Sequence, residues 1–565
     1  MEFKQQVTLI LNDAMESLGY GTDDLNLEPS QHADIASRVA FRLASKLKQN
    51  PKDIAEKIAK TVAIPNDSYL DSVEAVGPYL NIRANRRYLD ETVSRIRHET
   101  DGFGGGFCEG RIIIEHTSAN PNGPLHVGHI RNSVIGDTLT RILKRVGYDV
   151  EIHYYVNDMG RQIAIVSWAL SHFEFDTSKK PDHAIADVYI RANAELEAHP
   201  EKVEEVERLM QLVESGDDKT IERFDRAVGF AVTGIRETLL HMNVVHDKFV
   251  NESDFVRSGA VSRIVDEIRS TGLTKIDNGA LVVNLLDYGF EKSLVIQRSD
   301  GTSLYTTRDI AYHEWKGEQA ERVIDILGAD HKLISGQLKA ILNAIGKTEP
   351  EIVIFEFVSL PEGSMSTRRG KFITADELFE QVEEQAFVEV EKRRPEMPDD
   401  FKKEVAAIVG IGAVRYDIVK VSPEKSTVFN WKEALDFEKQ GAPFIQYSHA
   451  RACSILAKAK DEGLWNPATT VDPSVLLEDS EVSLIKKMAQ FDNLLDQSAR
   501  ELKPHIFAIY ARELADSFNQ FYRFVPVISA EDEADRNSRL ALVDCARIVL
   551  ANALETLGIG APESM

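Results

Sequence analysis

The chain has 565 residues, is 43% hydrophobic and 28% charged, and carries a formal net charge of −25. That length exceeds what one hydrophobic core serves, so several domains are expected. The acidity argues against a surface that grips nucleic acid without specificity, and it leaves room for a specific RNA met through a local basic face.

No apolar run approaches the roughly 18 residues that span a bilayer. The start, Met1-Glu2-Phe3-Lys4-Gln5-Gln6, lacks a signal-peptide pattern, so a cytoplasmic protein without a membrane partner is expected. Cys108, Cys453 and Cys545 form no C-x-x-C pair, which speaks against a disulfide framework or a cysteine zinc site.

Residues 1–105 read as a small α+β unit. Phe3 to Leu18 has helical apolar spacing, and His32 to Leu43 repeats it. Asn50-Pro51 opens a third helix, with Pro at the first helical position. Tyr79 to Arg83 alternates like a strand, and Gly102 to Gly106 marks a linker.

Over 106–400 strand and helix patterns alternate, as in a doubly wound parallel sheet of Rossmann type. Arg111 to Glu115 is a buried strand ending in a carboxylate. A loop of Ser, Asn, Pro and Gly follows. Then His126-Val127-Gly128-His129 heads a helix whose apolar face is Ile130, Val134, Ile135, Leu139, Ile142, Leu143 and Val146. Asp149 to Val156 is a second strand.

From about 185 to 275 the chain is dense in Glu and Asp with helical periodicity, which predicts a helical insertion. The alternation resumes with the runs Ser293 to Arg298 and Arg322 to Leu327. The second closes on Gly328-Ala329-Asp330-His331. Residues 401–565 are helix after helix.

Loops at the carboxyl ends of parallel strands form the ligand crevice. The segments 115–129, 328–331 and 363–371 are therefore candidates for one site. His126 and His129, three apart, share a helix face at an N-terminus that suits phosphate. The same pair reads equally as a helix cap, or as two metal ligands without visible third and fourth partners. Glu115 calls for a cation, either within the protein or on a ligand. Tyr305 and Asp309 lie four apart on one helical face, a pairing that suits a planar cation or serves as structure. Met365-Ser366-Thr367-Arg368-Arg369-Gly370-Lys371 is a loop with hydroxyls and cations, able to close over polyphosphate or simply a solvated turn. Aromatic and basic residues interleave at Gln446 to Arg451 and Phe518 to Phe524, suited to stacked RNA bases or to a bundle core.

The order of these motifs resembles that of class I aminoacyl-tRNA synthetases. His126-Val127-Gly128-His129 is similar to their HIGH signature, and Met365 to Gly370 to the KMSKS loop. Glu115 to His129 with Tyr305 to Asp309 resembles the arginyl family. So do Asp436-Phe437-Glu438, Gln446 to Arg451, the DALR-like Asp544-Cys545-Ala546-Arg547, and the ending Ala561 to Met565. The resemblance implies a ligase that joins L-arginine to tRNA(Arg) through an arginyl-adenylate, using ATP and Mg2+, with a first step that usually needs bound tRNA. A non-catalytic tRNA-binding paralogue and a synthetase of another specificity are the alternatives.

The resemblance also implies roles. Glu115, Ser118, Asn120, Tyr305, Asp309 and Gln337 hold arginine. His126, Gly128, His129, Gly328, Asp330, His331 and Met365 hold ATP. His126, His129, Ser366, Arg368 and Lys371 serve the chemistry. Tyr447 and Met565 meet the anticodon, and residues 401–565 form the helical anticodon-binding bundle. The signature loop carries Ser364 and Thr367 at its two lysine positions. Gly123 stands where some relatives place a compensating lysine, so the cationic role falls to Arg368 and Lys371. No resident metal is expected in the protein itself, and a monomer is expected.

Overall fold

The computed structural model describes residues 2–22, 24–30, 32–359, 373–438 and 441–565. In the N-terminal unit, helices Glu2–Ser17, Val39–Leu47 and Pro51–Thr61 pack on a four-stranded antiparallel sheet. Phe3, Val7, Leu11, Ile54, Ile58, Leu80 and Ile82 form its core. Asn50 accepts from Lys52 N and Pro51 opens the helix behind it.

The helix predicted from His32 begins only at Val39. Ile35–Ser37 is a strand paired with Tyr79–Ala84, its side chains alternating in burial. Ser37 Oγ accepts from Val39 N and donates to Leu25 O, which ends the strand and starts the helix.

The central sheet is parallel, with five strands: β1 (Arg111–Glu115), β2 (Asp149–Val156), β3 (Lys248–Asn251), β4 (Arg322–Gly328) and β5 (Glu351–Phe355), in spatial order β5-β4-β1-β2-β3. β1 sits in the middle. Ile112, Ile113 and Ile114 are fully buried there, each contributing about 1.5–3 kcal/mol of apolar burial. Register sets Glu115 opposite Asp325 on β4 and His153 on β2.

α1 (Val127–Arg145) crosses from β1 to β2. Gly136 is required on it, because a Cβ there would stand 2.3 Å from the buried His116 ring. The insertion holds α2 (Pro181–Ala198), α3 (Val203–Glu214) and α4 (Asp218–His241). Its helices end before β3, so the predicted segment 185–275 includes a strand of the central sheet. The run Ser293 to Arg298 also differs from expectation. Leu294–Gln297 belongs to a separate antiparallel sheet with Ala280–Val283 and Thr274–Asp277. Short apolar runs carry no sign of strand direction.

α5 (Tyr305–Gly317) precedes β4, and α6 (Ala375–Arg393) packs on α7 (Asp399–Val419). The bundle continues with α8 (Ala442–Asp461), α9 (Pro504–Phe524) and α10 (Glu533–Thr556). The glycine-rich linker is packed. A Cβ on Gly104 would meet the Phe491 ring at 2.2 Å. Asn552 donates to Thr100 O at 3.0 Å across the same junction. Arg415 on α7, fully buried, bonds Asp137 on α1, Met242 O and Leu557 O, tying α1, the insertion and the bundle together.

Candidate active site

The turn after β1 is conformationally demanding. Thr117 and Ser118 have φ of 71° and 37°, a left-handed pair that a β-branched residue adopts only where its surroundings enforce it. Thr117 N donates to Asn132 Oδ1 at 2.9 Å, and Thr117 Oγ1 pairs with Ser133 Oγ at 2.8 Å, both on α1. The result aims Ser118 Oγ at Glu115 Oε1, 3.0 Å away, while the same oxygen accepts from Tyr155 N. Ser118 therefore orients Glu115, and Asn120 lies further along the loop, exposed.

Glu115 is buried and has a cation inside the protein. Lys316 Nζ on α5 lies 2.8 Å from Glu115 Oε2 and 2.7 Å from Asp325 Oδ1. His313 Nε2 is 2.7 Å from Asp325 Oδ2, and its Nδ1 lies 3.1 Å from Asp309 Oδ1. Burial pushes the Glu115 carboxyl up against the opposing Lys316 ammonium. Burial and Lys316 oppose the charge on His313, yet Asp325 and Asp309 hold it up at about 10. Asp325 is held low despite burial by Lys316 and His313. Tyr312 stacks on Tyr155 at 4.5 Å and receives Lys316 Nζ over its face at 4.3 Å.

Asp309 is thereby joined to Glu115 through ionic contacts. Tyr305 stands one turn before it at the start of α5, 56% exposed. Gln337 is buried, its Nε2 pointing to Lys292 O at 3.5 Å. Spacing does not reveal Lys316, His313 and Asp325 as members of this site; the one signal is Asp325, a charge inside the apolar run Val323 to Leu327.

On the helix side, His126 Nδ1 accepts from Gly128 N at 3.1 Å and His129 Nδ1 from His126 N at 3.3 Å. Burial pushes both imidazoles down, His129 to about 3 with His126 adding to the effect. Two neutral rings with Nδ1 accepting carry their protons on Nε2, which makes each Nε2 a donor. Capping thus uses the Nδ1 edge of each ring. A Cβ on Gly128 would press on the His126 ring at 3.0 Å, so glycine permits the ring's position.

Gly328 closes β4, and Asp330 and His331, both exposed, follow it on the sheet's carboxyl side. Thr374 pairs with His126 in an isolated bridge, and Ala375 N donates to Leu125 O at 2.7 Å. The start of α6 thus lies against the histidine motif. Met365, Ser366, Arg368 and Lys371 lie outside the described residues.

Among the described residues, two groups of acids and imidazoles are close enough to share a metal: Glu115, His313 and Asp325, and Asp182, His183 and Asp376. Each surrounds a lysine ammonium. Lys316 lies in the first, and Lys180, 2.7 Å from Asp376, in the second.

Tyr447, Arg451, Phe437, Arg393 and Met565 line a separate cleft of about 520 Å3. Arg451 lies 4.8 Å over the Tyr447 ring and Arg393 4.1 Å over Phe437. Gln446 and His449, on the buried side of α8, hold the final segment through Gly560 O at 2.9 Å and Pro562 O at 3.0 Å. In the second interleaved run, Phe518 and Phe521 are core, while Tyr522 and Phe524 are exposed.

Residues 108–431 match the model of the class I tRNA synthetase (R) catalytic domain. The chain belongs to the arginyl-tRNA synthetase family. Residues 445–565 match the DALR anticodon-binding domain and 2–84 the arginyl-tRNA synthetase N-terminal domain. An arginine–tRNA ligase of Methanococcoides burtonii is 74% identical over the whole of both chains, and one of Methanosarcina acetivorans is 69% identical, again over both full lengths. The arginyl-tRNA synthetase structure of Thermus thermophilus superposes with a TM-score of 0.84 at 28% identity, covering both chains completely. No helix among the described residues is long and apolar enough to cross a membrane.

Proposed function

We propose that the protein attaches L-arginine to tRNA(Arg) at the expense of ATP, through arginyl-adenylate. The observation that carries this reading is the acid set at the end of β1 and on α5, beside the histidine-capped helix start. Among the described residues, the three acids Glu115, Asp309 and Asp325 are paired with two cations, Lys316 and His313. Acids in excess of cations suit a guanidinium, which is never deprotonated.

Glu115, Ser118, Asn120, Tyr305, Asp309 and Gln337 form the arginine side. His126, Gly128, His129, Gly328, Asp330 and His331 form the ATP side, with Mg2+ arriving on the nucleotide as part of the substrate. Met365, Ser366, Arg368 and Lys371 complete the phosphate side.

The arginine carboxylate is already a nucleophile and needs no general base. Its oxygen attacks the α-phosphorus; the bond from that phosphorus to the β-phosphate bridging oxygen breaks, and pyrophosphate leaves with the electron pair. Charge gathers on the α-phosphoryl oxygens in the transition state. The Nε2–H groups of His126 and His129 and the N-terminus of α1 stabilise it there. A hydroxyl of the terminal tRNA ribose then attacks the carbonyl carbon; the bond from that carbon to the phosphate oxygen breaks, and AMP leaves with the electron pair as its phosphate takes up the hydroxyl proton. Positioning supplies most of the rate.

Tyr447 and Met565 meet the anticodon, with Arg451 and Phe437 offering stacking faces. The protein acts as a monomer in the cytoplasm. Pyrophosphate exchange into ATP, measured with arginine in the presence and absence of tRNA, tests the first step. Exchange that requires both is expected, and exchange indifferent to arginine would overturn the reading.

A further inference from the structure

We infer that Lys316, anchored by Asp325, is a positioning residue that pairs with the Glu115 carboxylate and holds it in one orientation, with its Oε1 edge turned to the cationic substrate. The inference rests on the proposed role of Glu115 toward arginine.

The geometry leaves Lys316 little freedom. Two of its ammonium protons face carboxylates at 2.8 and 2.7 Å, and the Tyr312 ring takes the third direction at 4.3 Å. The side chain is fully buried. Asp325 is fixed in turn, one oxygen on Lys316 and the other on His313. On Glu115, Oε2 is occupied by Lys316, whereas among the described residues the hydrogen bond to Oε1 comes from a neutral hydroxyl, that of Ser118. A second cation approaching Glu115 is therefore directed to the Ser118 edge.

A buried ammonium between two carboxylates is a poor device for stability alone, since desolvation offsets most of its Coulomb gain. It is a good device for preorganising a charge. Among the described residues, the charged and titratable groups around Glu115 include Lys316, His313, Asp309 and Tyr312 on α5, Asp325 on β4, and His153 and Tyr155 on β2. Of these, Lys316 most strongly opposes protonation of Glu115.

The test is pyrophosphate exchange on the full chain with tRNA, measuring KM for arginine and for ATP from pH 5 to 8. Lys316→Met is expected to raise KM for arginine at least tenfold and to change that for ATP less than twofold. It should also move the acid limb of the arginine profile up by about one to three pH units, the effect of losing an opposite charge at contact. Lys316→Arg keeps the charge and should return the limb toward its original place. A fold loosened without this role would lower activity alike for both substrates and leave the limb in place, which would overturn the inference.

If Lys316→Met does not fold, Lys316→Gln decides. It removes the positive charge while keeping a hydrogen-bond donor beside Glu115 and Asp325, so the limb must again move up; a limb unmoved or lowered overturns the inference. Glu115→Gln separates the two levels. An unchanged arginine KM in Glu115→Gln defeats both the role of Glu115 and the inference. A raised KM there with Lys316→Met unaffected defeats the inference alone.

Discussion

His126 and His129 stack with 3.7 Å between ring centres, and each turns Nδ1 onto a backbone N–H of its own helix start. The second edge of each ring is thereby committed to donation. Replacing His129 with Asn keeps an acceptor near the Nδ1 position and removes the donor. His129→Asn should lower kcat for adenylate formation by about 10²–10³, the usual loss for one transition-state donor. Its unfolding midpoint should shift little. Rapid-quench measurement of adenylate formation beside thermal denaturation checks both.

Protonation has a predictable cost for this fold. His129, His153 and His246 are buried neutral, pushed down chiefly by burial to about 3, 4 and 4. Below their ordinary value near 6.5 the unfolded chain takes up protons that the folded chain refuses. The stability from these groups is present above that value and is lost as pH falls toward the folded values, at about 1.4 kcal/mol per pH unit for each. His313 behaves in the opposite sense. Its contribution is full below 6.5 and disappears as pH climbs to about 10. Urea unfolding from pH 5 to 10 should show falling stability at both ends, and His313→Gln should flatten the alkaline arm only.

Asp309 is the acid on α5 nearest Tyr305, one turn away, and its other face is held by His313 at 3.1 Å. Asp309→Ala should raise the arginine requirement by tenfold or more and the ATP requirement far less. Steady-state exchange with each substrate varied in turn measures the ratio. Equal effects would place Asp309 outside the arginine side.

The cleft of Tyr447 and Arg451 makes a separable prediction. Stacking one base on an aromatic face is worth about 1–3 kcal/mol. Tyr447→Ala should therefore raise KM for tRNA about tenfold, with the arginine and ATP requirements unchanged at saturating tRNA. Aminoacylation across a tRNA titration reads this directly.

Much of this was legible in the chain itself. Arg111 to Glu115 declares itself as a strand through the continuous apolar run Ile112 to Ile114, buried on both faces of a parallel sheet, and Asp149 to Val156 through the alternation of Val150, Ile152 and Tyr154 with polar neighbours. The helix start at His126 is legible from spacing and from the glycine between the histidines. Direction is not written in a four-residue run, so the sequence alone does not separate Leu294–Gln297, a strand of the antiparallel sheet, from the parallel one. The strand Ile35–Ser37 was hidden for a related reason, since its period of two covers only three residues before a helix begins. Burial of charge is also invisible to spacing. Lys316 reads as one more polar helix residue until β4 is laid beside β1 and Asp325 comes opposite Glu115. The acid Glu115 was legible as needing a cation, but the internal partner became evident only in three dimensions.

The central claim, that this site selects arginine for tRNA, is tested most directly by aminoacylation of total tRNA with each of the standard amino acids in turn, with and without ATP. The account predicts ATP-dependent charging by arginine alone. Charging by another amino acid, or none by arginine, would contradict it.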